Sequence, residues 1–525
     1  MNIFEQYKIY RNNRLKAKML PIFDEYFRGI VNTSLKEWQK DKRQYLQDME
    51  YRMWFEGKQE KIEWFYKEYM INAADQYTLS YRDNPFWKVV KSDSVKLHFP
   101  LPSMISEAMS NLLFHKKPEI SIGEGEEDNE TLTEIITETL KENNADLLLQ
   151  TGAQLESYSG TLAARIIVDT DFSEYPIIKF HPSSEFELVQ EYGRVTEIVF
   201  NDIHKYNNKK FILKSHYGKG YIKYVLYDTS GEKNREVPLS SVPETAALKN
   251  IMLVDETGKP LKLMLAAYKV NRPCDNEFID SNYGESDYSS LIDTFQAIDE
   301  TYSAIIDRIR KGHIVTFVSE DLTITDTATG KTKKIDDYQL KTVILNSNPD
   351  PNLKSTCERS IPDINIQPLY ESLQQMIRNA LSRVGLSPNT VLENLGGANS
   401  SAEALEIREG VSARTRETKI ALWETFINQV SRLILIFYSL QFSEITEQSE
   451  KAIIYKIKDD GGEFEYKCVF PPYATATWQD RLPSIKDALE AALLDKETAL
   501  KKLWEDEYTD DELQTMKNNI EDIVE

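Results

Sequence analysis

Apolar residues recur at helical spacing through most of the chain and at strand spacing in its second quarter. In residues 1–75, aromatic and charged residues are interleaved, which predicts amphipathic helices with aromatic packing faces. Pro102 and Ser103 begin a further predicted helix through Phe114, and two helices and a strand follow up to residue 169. Residues 177–270 alternate apolar and polar positions between turn signals, which predicts a meander of β-hairpins.

The helix predicted over residues 286–312 carries a narrow apolar seam. Its members are spaced four, three, four, three and four residues apart: Leu291, Phe295, Ile298, Tyr302, Ile305 and Ile309. Such a seam is typical of helices that pack on neighbouring helices. A single hairpin would bury this seam poorly, whereas repetition around a ring would give every copy a neighbour.

A second pattern on the same helix is acidic. Asp293, Glu300 and Asp307 recur every seven residues on a face other than the seam. The simplest interpretation of this stripe is a solvated helix face.

The segments that follow predict a helical hairpin with a small β domain at its tip. Residues 313–365 contain short strand patterns and proline-containing connections. A second helix covers residues 366–386, with Pro368 in its first turn and Gly385 at its end. A polar loop, 387–400, then leads into a long helix.

The long helix is expected to run to residue 440 and to continue into a hairpin. Its core face is formed by Ile420, Trp423, Ile427, Val430 and Ile434. The turn signal "DDGG" predicts a β-hairpin over residues 452–470. The tail after residue 478 has the pattern of amphipathic helices.

Composition narrows the possible functions. The chain has 525 residues, 63 basic and 85 acidic, and a net charge of −22. This balance argues against a protein that grips nucleic acid by neutralising phosphates, although acidic walls could surround a moving polyanion without holding it. The three cysteines are far apart, which indicates neither a disulfide framework nor a zinc site. The longest apolar run, 433–440, is too short to span a bilayer.

The phosphate-loop motif GxxxxGK[ST] and the motifs GxSxG, HExxH and GxGxxG are absent from the sequence. The segment "TGKTKK" at 329–334 lacks the earlier glycine of a phosphate loop, because Thr325 stands at that position. Neither a nucleophile nor a general base is indicated, and we expect no metal and no cofactor. An enzyme that uses converging carboxylates and a metal, such as a nuclease, remains an alternative.

Taken in order, the segments over about residues 95–510 resemble the portal (connector) proteins of tailed bacteriophages. "FPLPSMISEAMSNLLFHKKPEISI" resembles the segment before the wing, and "DLLLQTGAQLESYSGTLAARIIVD" its helix and strand. "GESDYSSLIDTFQAIDETYSAIIDRIRKG" resembles the first stem helix, and "LSPNTVLENLGGANSSAEAL" resembles the tunnel loop. "FPPYATATWQDRLPSIKDALEAALLDKETAL" resembles the stretch that leads into the crown.

The resemblance implies an α+β, multidomain portal fold with a wing, a stem helix hairpin, a β-containing clip and a helical crown, assembled as a ring. The expected divisions are the N-terminal helical region and wing (1–285), first stem helix (286–312), clip (313–365), second stem helix (366–386), tunnel loop (387–400), long wing helix and hairpin (401–470) and crown (471–525).

The resemblance also implies a function and its partners. The ring, usually a dodecamer, stands at one capsid vertex of the virion and is assembled in the host cytoplasm. Double-stranded DNA enters through it, driven by the terminase large subunit, and later leaves through it. An adaptor or head–tail connector protein, the capsid and scaffolding proteins are further partners, and no membrane is involved. Another virion structural or scaffolding protein is the alternative.

Two sets of residues follow as candidates for contact with DNA. The acidic stripe is one candidate lining of the channel. The other is the tunnel loop, whose Asn389, Asn394 and Asn399 are candidates for its narrowest point. The full set of loop candidates is Asn389, Thr390, Glu393, Asn394, Gly396, Gly397, Asn399 and Ser400.

Overall fold

The computed structural model describes the chain between residues 42 and 471 with gaps, and residue 486. The described residues are 42–66, 86–88, 96–123, 127–169, 171–230, 234–255, 257–274, 281–312, 314–319, 340–345, 357–360, 365–388, 402–441, 445–448, 452–456, 464–471 and 486. They form helices and both parallel and antiparallel strand pairs, which confirms the predicted α+β class.

Two short helices begin the described chain: α1 (Lys42–Glu56) and α2 (Gln59–Trp64). Their aromatic side chains point inward, and Trp54 and Phe65 are completely buried. The Trp54 ring lies 5.7 Å from the Phe295 ring, between ring centroids. Within residues 44–66, the prediction that the aromatic stripe is a packing surface is therefore confirmed.

The next helices and strands follow the predicted order. They are α3 (Leu101–Phe114), β1 (Glu119–Ile122), α4 (Glu127–Glu142), α5 (Ala145–Ser159) and β2 (Thr161–Ile167). Pro102 lies in the first turn of α3, where its missing N–H removes no helical hydrogen bond.

The strand-rich region forms two sheets. Its strands are β3 (Ile177–Pro182), β4 (Phe186–Glu191), β5 (Arg194–Tyr206), β6 (Lys209–Tyr217), β7 (Tyr221–Asp228), β8 (Arg235–Val237), β9 (Asn250–Val254) and β10 (Ala266–Val270). Strands β4 to β7 pair antiparallel in sequence order, so the predicted meander is confirmed there. Strand β2 lies between β10 and β3 in a separate three-stranded sheet.

Helix α6 (Ile292–Lys311) and helix α7 (Gln367–Val384) contact each other and flank a three-stranded sheet in the sequence. In that sheet β11 (Ile314–Ser319) pairs parallel with β12 (Leu340–Leu345) and antiparallel with β13 (Cys357–Ser360).

Helix α6 begins six residues later than predicted. Residues 287–291 form turns, and the Tyr288 amide donates a hydrogen bond to the Ser286 hydroxyl oxygen at 2.9 Å. Side chains bonded in this way compete with helix formation, and the helix pattern in the sequence does not reveal it.

Helix α8 (Ala402–Leu440) leads into three short strands: β14 (Ile445–Gln448), β15 (Ala452–Lys456) and β16 (Tyr466–Val469). The predicted hairpin over 452–470 is wrong. Strand β15 pairs with β14 and, in parallel, with β9, whereas β16 pairs with β1. A turn signal such as "DDGG" is local and does not specify these distant partners.

Two hydrophobic cores organise these elements. The first packs α8 against both sheets, and the second joins α1, α2, α3, α6 and α7. The segment Gly410–Leu440 of α8 is long and apolar enough, by composition, to cross a membrane. Trp423, Phe426 and Ile434 are buried in the first core, and 56% of the apolar window lies inside the structure. Packing in that core accounts for its hydropathy.

Candidate functional site

The candidate site is the α6–α7 hairpin with its junctions to α8 and to the first core. All eight tunnel-loop candidates, from Asn389 to Ser400, lie outside the described residues. The structure describes the chain on both sides of that loop, which we call the anchors of the loop.

The chain entering the loop is fixed to α8. The Thr415 hydroxyl donates a hydrogen bond to the Gly385 carbonyl at 2.8 Å. The Ser387 amide donates to the Ser412 hydroxyl oxygen, also at 2.8 Å, and Leu386 between them is fully buried. We call these contacts the loop clamp. They set the position from which the loop starts.

Gly385 is required by this clamp for two reasons. It ends α7 with a φ of 79°, in the left-handed region that glycine adopts at little cost. A Cβ at this position would also lie within 3.0 Å of the Thr415 hydroxyl oxygen. The sequence predicted the end of the helix at Gly385, and this prediction is confirmed.

A buried ionic cluster joins the start of the hairpin to α8. The Asp287 carboxylate is fully buried and lies 3.1 Å from the Lys419 Nζ. It also accepts hydrogen bonds from Ser157 Oγ at 2.8 Å and Asn271 Nδ2 at 3.0 Å. Burial raises the pKa of Asp287, but Lys419, Arg272 and these donors lower it more, so the pKa lies below its usual value.

A second buried ion pair lies next to the first. Lys269 on β10 pairs with Glu156 on α5, and both are buried. The Lys269 Nζ lies 4.3 Å from the centre of the Trp423 ring, so the ammonium also contacts an aromatic face. Burial lowers the pKa of Lys269 to about 8, against the opposing effect of Glu156.

A buried carboxylate on α6 ties the hairpin to the N-terminal region. Asp299 accepts hydrogen bonds from the Phe99 amide at 2.7 Å and the Trp87 Nε1 at 3.1 Å, and lies 2.9 Å from His98 Nδ1. Burial raises the pKa of Asp299 above its usual value despite these hydrogen bonds. These contacts fix the side of α6 that faces the chain interior.

The apolar seam is largely buried within one chain. Leu291, Phe295 and Ile298 are each 1% exposed and belong to the second core, together with Ile305. Tyr302 is half-buried against the same core, and Ile309 is 43% exposed. The expectation that a single hairpin buries this seam poorly is therefore wrong from Leu291 to Ile305, because α1, α3 and α7 already cover those residues.

The acidic stripe lies away from that core. Asp293 and Glu300 are exposed, and Asp307 is half-buried. Helix α7 exposes four uncharged polar residues, Ser372, Gln375, Asn379 and Ser382, with the charged Glu371 and Arg383 beside them. The hairpin thus presents an acidic stripe on α6 and a mostly uncharged polar face on α7.

In the described part of the chain, no group of three or more His, Cys, Asp and Glu side chains is arranged to hold a metal ion. His181 and His216, which the strand pattern placed in the sheets, lie against Glu185 and Glu197 at 2.9 and 3.1 Å. Each of these two rings is thus paired with a carboxylate through its Nδ1.

Sequence reasoning missed the ionic cluster. A signal was present, because Ser412, Arg416, Lys419 and Trp423 follow one another at helical spacing on the core face of α8. Charged residues at core positions are rarely buried without a partner. Arg416 indeed donates to the Leu112 carbonyl at 2.8 Å and the Pro471 carbonyl at 2.6 Å.

Comparison with known proteins supplies the family. A search among curated proteins finds no match. A family model described as phage portal protein, SPP1 Gp6-like, matches residues 31–525, which includes part of the N-terminal region that the resemblance left unplaced. The chain belongs to the SPP1 Gp6-like family of phage portal proteins.

Proposed function

We propose that copies of this chain form a ring at one capsid vertex, with the α6–α7 hairpin as its stem. Double-stranded DNA passes through the ring during packaging, driven by the terminase large subunit, and again during ejection. The sheet β11–β13 is the clip that meets the terminase and later the adaptor. The observation that carries this proposal is the loop clamp, which starts a polar loop between a hairpin and a long helix.

The loop is longer than the distance between its two anchors requires. Ser387 is bonded to Ser412, whereas α8 begins at Ala402, ten residues earlier and ~15 Å away along the helix. Residues 389–401 can span up to about 45 Å when extended. The loop can therefore extend well beyond the straight path between its anchors, as a constriction around DNA requires. We assign its Asn389, Asn394 and Asn399 to the narrowest point.

Contacts between copies are expected at the clip end of the stem. Ile309 is 43% exposed and Tyr370 is 49% exposed. They lie in the last turn of α6 and the first turn of α7. Arg308 of α6 donates a hydrogen bond to the Asn365 carbonyl, just before α7, at 3.2 Å. Their burial between copies would remove apolar surface from water.

The first experiment is electron microscopy of the purified chain, alone and with its scaffolding protein. Rings with a central hole are expected. Ile309→Asp with Tyr370→Asp should lower the yield of rings while the melting temperature of the monomer stays unchanged. A chain that remains monomeric under both conditions would contradict the proposal, and metal-dependent DNA cleavage would favour the nuclease alternative.

The second experiment identifies the face that lines the channel. We assign it to Asp293, Glu300 and Asp307, because an acidic wall repels DNA and prevents adhesion. Substitution of all three by Lys should reduce packaged, nuclease-protected DNA in particles that still contain rings. The matched control places three lysines on α4, at Glu134, Glu138 and Glu142, which changes the charge equally.

A third variant tests the alternative that α7, and not α6, lines the channel. Ser372→Lys, Gln375→Lys and Asn379→Lys add positive charge to the mostly uncharged polar face of α7. If these substitutions block packaging while the α6 variant packages normally, α7 lines the channel and the assignment of the acidic stripe is wrong.

A further inference from the structure

One part of this acidic chain has the opposite charge. Residues 203–227 contain six lysines and no aspartate or glutamate, although the whole chain has 63 basic and 85 acidic residues. The lysines are Lys205, Lys209, Lys210, Lys214, Lys219 and Lys223. This run forms the end of β5, all of β6 and most of β7, far in sequence from the hairpin and the tunnel loop.

Three of these lysines surround the turn between β5 and β6. Asn207 and Asn208 form the turn with φ values of 50° and 56°, a conformation that asparagine tolerates. Lys205 and Lys210 stand directly opposite each other on the paired strands, and Lys209 stands opposite Tyr206. We call Lys205, Lys209 and Lys210 the lysine tip.

The lysine tip differs from the other lysine of β6 in its surroundings. Lys214 is buried and lies 3.8 Å from the carboxylate of Glu187, which makes it part of the sheet. Lys205 and Lys209 are exposed, and Tyr206 is 39% exposed. Lys209 also lies 3.8 Å from Asp228, and, in the described part of the chain, Lys210 makes no ion pair.

Two like charges placed directly opposite on paired strands destabilise the pair. An anion held between Lys205 and Lys210 would reduce the repulsion between them. Ammonium groups bind phosphate as point charges, and Asn amides and Tyr hydroxyls donate to phosphate oxygens in protein–DNA contacts. Together with Tyr206, Asn207 and Asn208, which are exposed, the lysine tip offers all three kinds of donor.

We infer that the lysine tip binds the phosphate backbone of double-stranded DNA, at a place separate from the stem and tunnel loop. The inference rests on the proposed function, because that function brings duplex DNA to the protein. Contact here is independent of base sequence, since it involves phosphates and no base edges.

The test measures how salt weakens binding of a fluorescein-labelled DNA duplex to the assembled full-length protein, by anisotropy. The variant carries Lys205→Gln, Lys209→Gln and Lys210→Gln. The matched control carries Lys116→Gln, Lys117→Gln and Lys467→Gln, three exposed lysines elsewhere that change the charge equally.

Each neutralised phosphate adds ~0.9 to the slope of log K against log salt concentration. Three lost contacts should therefore make the slope shallower by about 2.7. Between 50 and 200 mM salt, the wild type should lose about 40-fold more affinity than the lysine-tip variant. The control should behave as the wild type.

Three results would overturn the inference. The first is an equal salt slope for the variant and the wild type, and the second is no duplex binding by the wild type at the lowest salt. The third is that the wild type binds polyglutamate more tightly than the duplex and loses this binding in the lysine-tip variant. The last result would assign the tip to an acidic protein. If rings form and package DNA while the slopes are equal, this inference fails alone. If no rings form, the proposed function fails.

Discussion

The buried ionic cluster gives the sharpest test of how the hairpin is held. In Lys419→Met the Asp287 carboxylate loses its buried cation. It still accepts hydrogen bonds from Ser157 and Asn271, and the half-buried Arg272 still lies 3.4 Å away. Removal of one member of a buried ion pair costs about 3–5 kcal/mol. Because three partners remain, we expect the low end, about 3 kcal/mol.

The loss should be visible in local hydrogen exchange. The Asp287 amide donates to the Ser157 carbonyl at 2.9 Å, and the Glu285 amide donates to the Arg272 carbonyl at 3.0 Å. About 3 kcal/mol corresponds to roughly a hundredfold faster exchange of these amides. Mass spectrometry of peptides covering 281–291 measures this rate, with the β5–β6 peptides as an internal reference.

A control and a double variant complete the test. Lys141 pairs with Glu138 at 3.1 Å on the surface of α4, with 74% of its side chain exposed. Lys141→Met should therefore cost less than ~1 kcal/mol. Asp287→Asn combined with Lys419→Met should cost less than the sum of the single changes, because the isolated charge is then absent. Wild-type exchange rates in Lys419→Met would refute the reasoning.

Three further predictions concern single positions. Gly385→Ala should disturb the loop clamp and lower DNA packaging. The control is Gly193→Ala, because Gly193 has a φ of 73° but no neighbour within 4 Å. This control should cost ~1 kcal/mol of backbone strain without affecting packaging. Packaging by Gly385→Ala at the wild-type level would contradict this. Folding lowers the pKa of Lys269 from 10.5 to about 8, so between pH 8 and pH 10.5 the unfolded state binds more protons than the folded state. The unfolding free energy of the wild type, relative to that of Lys269→Met, should therefore rise with pH across that window. Denaturant titrations at several pH values measure it. Gly410→Ala, at a helical position with open space, should stabilise α8 by about 0.5–1 kcal/mol and slow exchange in residues 402–411; faster exchange would count against it.

Local signals in the sequence predicted much of the fold. Gly385 and Pro102 marked a helix end and a helix start, since both act through the backbone of their own turn. The core face of α8 also followed from spacing, because Trp423 and Ile434 are fully buried as predicted.

Long-range partners could not be read in the same way. Strand β16 pairs with β1, with Val469 opposite Glu119, and no local pattern encodes that choice. Lys419 and Asp287 belong to segments that the sequence treated as helix, and their meeting depends on how those segments pack. For the loop candidates from Asn389 to Ser400 and the acidic stripe, the roles remain predictions.

The loop clamp also has a mechanical meaning. Helix α8 continues for about ten residues, ~15 Å, on the loop side of Ser412, and an α-helix is far stiffer than a loop. A sideways push on the loop would thus act on a lever whose fulcrum is the contact of Ser412 and Thr415 with Ser387 and Gly385. The opposite arm contains Lys419 and Trp423, so the torque would act directly on the two buried ion pairs.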